Sequence, residues 1–144
     1  DMMAIGNTFR RCTHGIRQIA ATNINCDTAK IINNHFEQCF GPAIMSTTGQ
    51  GTLIDGNTFI NCGYVSGFSI IELQADTDPV ITRNMMMKDA NTYAVKYTPA
   101  TVGADFKFIG NVATGYGTSI FDTTTTKGAD LNTAWSLATR NWID

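Results

Sequence analysis

The stretch Lys30-Ile31-Ile32-Asn33-Asn34-His35-Phe36-Glu37-Gln38-Cys39 decides how this chain folds, because its pattern returns. Asn-x-Phe-x-x-Cys stands at residues 7–12, 34–39 and 57–62. Weaker copies begin at Asn84-Met85-Met86 and Asn111-Val112-Ala113. The asparagines are 27, 23, 27 and 27 residues apart. Three positions before each stands Ala4, Ile31, Ile54, Ile81 or Phe108, and one position before stands Gly6, Asn33, Gly56, Arg83 or Gly110. A period in the twenties marks stacked supersecondary units.

The repeat body has no room for amphipathic helices of ten or more residues. It offers short apolar runs cut by Gly, Asn, Asp and Thr, which is the pattern of strands and turns. Each unit holds two main strands. The first leads into the asparagine, as in Lys30-Ile31-Ile32, Thr52-Leu53-Ile54, Pro79-Val80-Ile81 and Lys107-Phe108-Ile109. The second starts roughly ten residues later, as in Gly15-Ile16-Arg17-Gln18-Ile19, Pro42-Ala43-Ile44-Met45, Ser69-Ile70-Ile71-Glu72-Leu73, Tyr93-Ala94-Val95-Lys96-Tyr97 and Thr118-Ser119-Ile120-Phe121.

Stacked in register, such units make an all-β parallel β-helix whose neighbouring turns lie ~4.8 Å apart. About five turns are expected, rising about 24 Å on that spacing. Like residues then fall on like residues. An inward Asn at a bend can bond the bends above and below and satisfy buried backbone groups. Phe9, Phe36, Phe59 and Met86 fill one apolar column, and Cys12, Cys39 and Cys62 a second, smaller one.

This texture, Ile-x-x-Asn-x-Phe-x-x-Cys with Thr-rich and Gly-rich loops, resembles right-handed, single-stranded parallel β-helix proteins over roughly residues 3–123. That superfamily includes pectate lyases, polygalacturonases and the tailspikes of bacteriophages, and the chain looks most like a tailspike or tail-fibre β-helix. The resemblance implies a segment that binds a bacterial surface polysaccharide, with depolymerisation as an added activity. It also implies a homotrimer located in the virion tail and assembled in the host cytoplasm. A free-standing polysaccharide lyase or hydrolase and a purely structural virion shaft are the competing expectations. No paired-aspartate or Gly-His-Gly signature of polygalacturonases stands in the sequence, nor the Arg-x-Pro-x-x-Arg of pectate lyases, which weighs against a free-standing enzyme.

A length of 144 residues suits one domain, here a β-helix over residues 1–123 followed by a linker and terminal segment over 124–144. Charged residues make up only 15%, against a usual ~25%, while 43% are apolar. The formal charge of −2 gives no basic field for nucleic acid. No stretch is long enough to span a bilayer, and no signal peptide is visible. The chain begins with Asp1 and opens almost at once on a repeat, which reads as a piece of a longer protein. In the terminal segment, Leu131, Ala134, Trp135 and Ala138 recur at helical spacing behind Asp130, an N-cap candidate. Two readings stand: a short capping helix, or a strand carrying Trp135, Leu137 and Trp142 into a trimer.

The cysteines at 12, 26, 39 and 62 have no C-x-x-C spacing, so a zinc or redox-motif reading is poor and no metal or cofactor is expected. Free thiols are expected of a protein matured in a reducing cytoplasm. A disulfide stays open as the alternative, since rungs at ~4.8 Å lie inside the Cα range for a bridge.

A glycosidase needs two carboxylates, ~5–5.5 Å apart for retention or ~6.5–9.5 Å for inversion. Aligning the second strands puts Glu72, Lys96 and Asp122 in one column. This suits an acid pair flanking a cation on a sugar-binding face. It equally suits an ion-pair ladder in which Lys96 relieves repulsion between two acids, the more ordinary use of surface charge. Asp76 and Asp78, in Gln74-Ala75-Asp76-Thr77-Asp78-Pro79, could supply an acid and a base, or be a polar turn before proline. Tyr64, Tyr93 and Tyr116 are the aromatics on which sugar rings could stack, with Lys96 beside them; Tyr97, two residues from Val95, could instead point inward.

Overall fold

The computed structural model describes residues 2–19, 28–47, 49–65, 67–87, 93–98, 106–115 and 120–121. The chain winds through short strands: β1 (Met3–Ile5), β2 (Thr8–Arg10) and β3 (Ile16–Gln18), then β4 (Lys30–Ile32), β5 (His35–Glu37) and β6 (Ile44–Ser46). After β7 (Gly49–Gln50) come β8 (Leu53–Asp55), β9 (Thr58–Ile60) and β10 (Ile71–Gln74). After β11 (Asp76–Thr77) come β12 (Val80–Thr82), β13 (Met85–Met87) and β14 (Val95–Thr98), and last β15 (Lys107–Ile109) and β16 (Val112–Thr114). All pairings are parallel and join equivalent positions of successive circuits. The first sheet runs β1-β4-β8-β12-β15, the second β2-β5-β9-β13-β16, the third β3-β6-β10-β14, with β7 beside β11. The fold is thus an all-β parallel solenoid.

The count of turns is smaller than the repeat suggested: about 3 rather than 5. The circuits with a neighbour on both sides of every main strand begin at β4, β8 and β12. Among the described residues β1, β2 and β3 have a neighbour on one side only, and after β15 and β16 comes a bridge between Val95 and Phe121. The segment 124–144, with the expected cap or trimerising strand and both tryptophans, lies outside the described residues, as does Cys26.

The asparagine bend is built the same way on each circuit. The residue before each asparagine adopts a left-handed conformation: Gly6, Asn33, Gly56, Arg83 and Gly110 have φ between 54° and 67°. Glycine and asparagine reach that region at little cost. At Gly56 a Cβ would also meet Asn33 Oδ1 at 2.5 Å. Arg83 is the exception, and its guanidinium is held by Asp55, with Nε donating to Oδ1 at 2.9 Å and a second contact from Nη2 to Oδ2. The turned asparagine then points inward. Asn57 Oδ1 accepts from the backbone N–H of Asn34 at 2.8 Å and from its Nδ2 at 3.0 Å, while Asn57 Nδ2 donates to Ile31 O at 2.8 Å and to Asn84 Oδ1 at 3.0 Å. The same bonds join Asn7 to Asn34 and Asn84 to Asn111.

The core lies inside these corners. Ile31, Ile54 and Ile81 stack in the first sheet, and Phe36, Phe59 and Met86 in the second, all essentially without exposure. The rings of Phe9, Phe36 and Phe59 lie 4.9 and 5.0 Å apart and within 8° of parallel, the spacing of the rungs themselves. In the third sheet Ile44, Ile71 and Val95 line the core, and Tyr97 points inward.

Candidate functional site

The third sheet and the segments that lead into and out of it carry every described acid and tyrosine that the sequence offers as a site candidate. The expected register between β10 and β14 holds: Glu72 pairs with Lys96, and on its other side with Met45. Asp122 lies outside the described residues. Glu72 is only 5% exposed, although it sits between the inward residues Ile71 and Leu73. Its Oε1 accepts the backbone N–H of Ser69 at 3.1 Å, so the carboxylate closes a local loop. Lys96 is half-buried.

Asp76 and Asp78 diverge. Ala75 (φ 52°) and Asp78 (φ 55°) each make a left-handed bend, so the two-residue strand β11 between them starts with Asp76 turned inward. Asp76 is wholly buried. Its Oδ2 accepts the Thr52 hydroxyl at 2.5 Å, and its backbone carbonyl accepts the Tyr97 hydroxyl at 3.1 Å. Oδ1 has no hydrogen-bond partner among the described residues. Burial pushes the Asp76 carboxyl above the usual range; the Thr52 hydroxyl and N–H act the other way, and Asp78 adds to the rise. Gly49, paired with Asp76 in β7, makes the space, since a Cβ there would meet Oδ2 at 2.7 Å. Asp78 is exposed.

The aromatics separate in the same manner. Tyr64 is exposed, and its ring packs against that of Phe40, with centroids 5.2 Å apart and planes tilted by 44°. Val65 and Phe68 are exposed beside them, tied in by Val65 N–H to Phe40 O at 3.2 Å and Phe68 N–H to Val65 O at 3.3 Å. The neighbouring circuit contributes His14, whose ring lies over Gly41. These side chains form an aromatic shelf at the corner that leads into the third sheet. Tyr93 is half-buried near that sheet's other end, and Tyr116 lies outside the described residues. Tyr64 alone of the shelf was read from sequence. Phe40 and Phe68 carried a signal that went unused: each follows a position where the inward alternation has ended, next to Gly41-Pro42 and Gly67.

The thiols occupy the column next to the shelf. Cys12, Cys39 and Cys62 are thiols not joined in disulfides, with Cys12 half-buried and the other two fully buried. The contact with Cys62, then burial, then the contact with Cys12 push the Cys39 thiol far up, so it stays protonated. Outside this corner, Arg10 pairs with Glu37 at 2.9 Å, and Arg11 Nε donates to Gln38 Oε1 at 3.0 Å. Among the described residues no cluster of His, Cys, Asp and Glu could hold a metal ion, and no helix is long and apolar enough to cross a membrane.

Comparison with known proteins finds no matching family model, no matching curated protein and no matching solved structure.

Proposed function

We propose that this chain is a segment of a right-handed, single-stranded β-helix of the bacteriophage tailspike kind. It binds a bacterial surface polysaccharide through the Phe40–Tyr64 shelf, as part of a homotrimer in the virion tail. The observation that carries the reading is the shelf: exposed aromatic rings, held on backbone bonded to the solenoid, at a corner with few charges. A pyranose ring presents an apolar face that packs on such rings, and polar neighbours then set its orientation. A stiff solenoid keeps the shelf preorganised, which lowers the entropic cost of binding a long polymer.

Binding, rather than cleavage, is the activity assigned to the described residues. Cleavage requires two carboxylates open to one glycosidic bond. Glu72 is bonded to Ser69 and Asp76 is enclosed, while Asp78 is exposed at a bend of its own.

The test is a binding screen of the chain against purified bacterial capsule and lipopolysaccharide O-antigen preparations. The expected result is a polysaccharide that binds the parent chain and loses binding at least tenfold in a Phe40→Ala, Tyr64→Ala variant with an unchanged melting temperature. Undiminished binding by that variant would remove the shelf from the site. Absence of binding to every preparation would favour the ligand-free shaft.

A further inference from the structure

The stacked thiols of the first described circuits point to a modification site that the polysaccharide reading does not use. We propose that Cys12 and Cys39 are an oxidation site, closing to a disulfide that staples the first described circuit to the next. The two Sγ atoms stand 3.4 Å apart. Backbone bonds on both sides fix their register: Arg11 N–H donates to Glu37 O and Phe40 N–H to Cys12 O, each at 2.9 Å. Arg11 and Gln38, at φ 52° and 53°, make the same left-handed bend before each cysteine, so both side chains enter the core at one point. Neighbouring strands place the Cα atoms ~4.8 Å apart, within the range of natural bridges. Closure then brings the sulfurs together by roughly 1.4 Å, from 3.4 Å to ~2.05 Å, through side-chain rotation.

Access selects this pair over Cys39 and Cys62, which are stacked in the same way. Cys39 and Cys62 have no exposed surface, whereas Cys12 is half-buried. A low-molecular-weight disulfide therefore meets Cys12 first. The Cys12 thiolate attacks one sulfur of the oxidant, whose S–S bond breaks and releases one thiol, leaving a mixed disulfide on Cys12. The Cys39 sulfur then attacks Cys12 Sγ, and its proton leaves with the second thiol, which departs as RSH. Two protein thiols are oxidised, and one external disulfide is reduced to two thiols. Cys39 is fully buried, so this second step is the slow one. The closed ring spans residues 12–39, which restricts the unfolded chain and so stabilises the fold.

The experiment incubates the folded 144-residue chain with oxidised glutathione, blocks remaining thiols, and maps peptides without reduction. The expected product joins the Cys12 and Cys39 peptides with loss of two hydrogens. It forms also in Cys26→Ser and Cys62→Ser variants, disappears in Cys12→Ser, and melts about 5–10 °C above the reduced chain, reversibly with dithiothreitol. A bridge through Cys26 or Cys62, a mixed disulfide that never resolves, or a melting temperature unchanged by the bridge would each overturn the proposal.

Discussion

The asparagine corner and the corner leading into the third sheet are made by the same chain on the same circuits, yet they are built on opposite terms. At the asparagine corner every circuit repeats one bend and one set of bonds, and interior members such as Asn34, Asn57 and Asn84 are at most 2% exposed. At the other corner the first three circuits, those whose residues are described there, all differ. One carries His14 over Gly41, another Phe40, and the next the longer Gly63–Phe68 stretch with Tyr64 and Val65. The difference teaches where such a solenoid can vary. A corner whose buried backbone groups depend on a side-chain ladder cannot change length, because each lost bond leaves a buried donor or acceptor. A corner that faces solvent can take insertions and aromatic side chains at little cost.

Substitutions at matched positions are the way to break that comparison. The largest effect is expected at Phe36→Ala, which opens a cavity in the stacked column between Phe9 and Phe59 and should cost on the order of 3–5 kcal/mol in denaturant unfolding. A near-neutral result would mean that the aromatic column is not the core. Asn57→Ala comes next. It strands the Asn34 backbone N–H and the Ile31 carbonyl, for a loss of roughly 3 kcal/mol by the cost of unmet buried groups. Asn7→Ala, at the exposed edge, should lose about 1 kcal/mol or less by the same measure. Equal losses at both positions would contradict a ladder whose value comes from burial.

Asp76→Asn sharpens the comparison, because it tests a buried polar group outside the ladder. The folded-state pKa of Asp76 is raised, chiefly by burial. Folding therefore favours the protonated form. The stabilisation is fully present below the ordinary carboxyl pKa and is lost as pH rises through the folded-state value. The variant should melt higher than the parent at neutral pH, and the gap should shrink on acidification. A gap independent of pH would show that Asp76 does not titrate between the two states. The smallest effect is expected at Tyr64→Ala, whose stability should stay within about 0.5 kcal/mol of the parent because the ring is a surface one.

The sequence disclosed the columns because parallel stacking turns a period in sequence into a contact in space. Asn34 above Asn7 and Phe59 above Phe36 follow once the repeat is aligned, and so does Glu72 beside Lys96. Tyr97 inward was legible from alternation with Val95. The burial of Asp76 was not. Alternation from Leu73 is reset by the left-handed bend at Ala75, a conformation that alanine does not advertise. Glu72 misled for a related reason: alternation turns it outward, and only the fold-back onto Ser69 encloses it. The turn count also ran high. A repeat unit is visible in sequence whether or not its circuit is covered on both sides, and among the described residues the first and last are not.

Residue-resolved amide hydrogen exchange on the folded chain tests the division between the two corners most directly. The ladder N–H groups of Asn34, Asn57 and Asn84 are buried and bonded from circuit to circuit, whereas those of Val65 and Phe68 lie on the exposed shelf. The ladder amides should exchange only through global unfolding, and the shelf amides through local opening, faster by at least about two orders of magnitude. Equal protection at the two corners, or faster exchange in the ladder than on the shelf, would contradict a rigid asparagine spine carrying a variable binding corner.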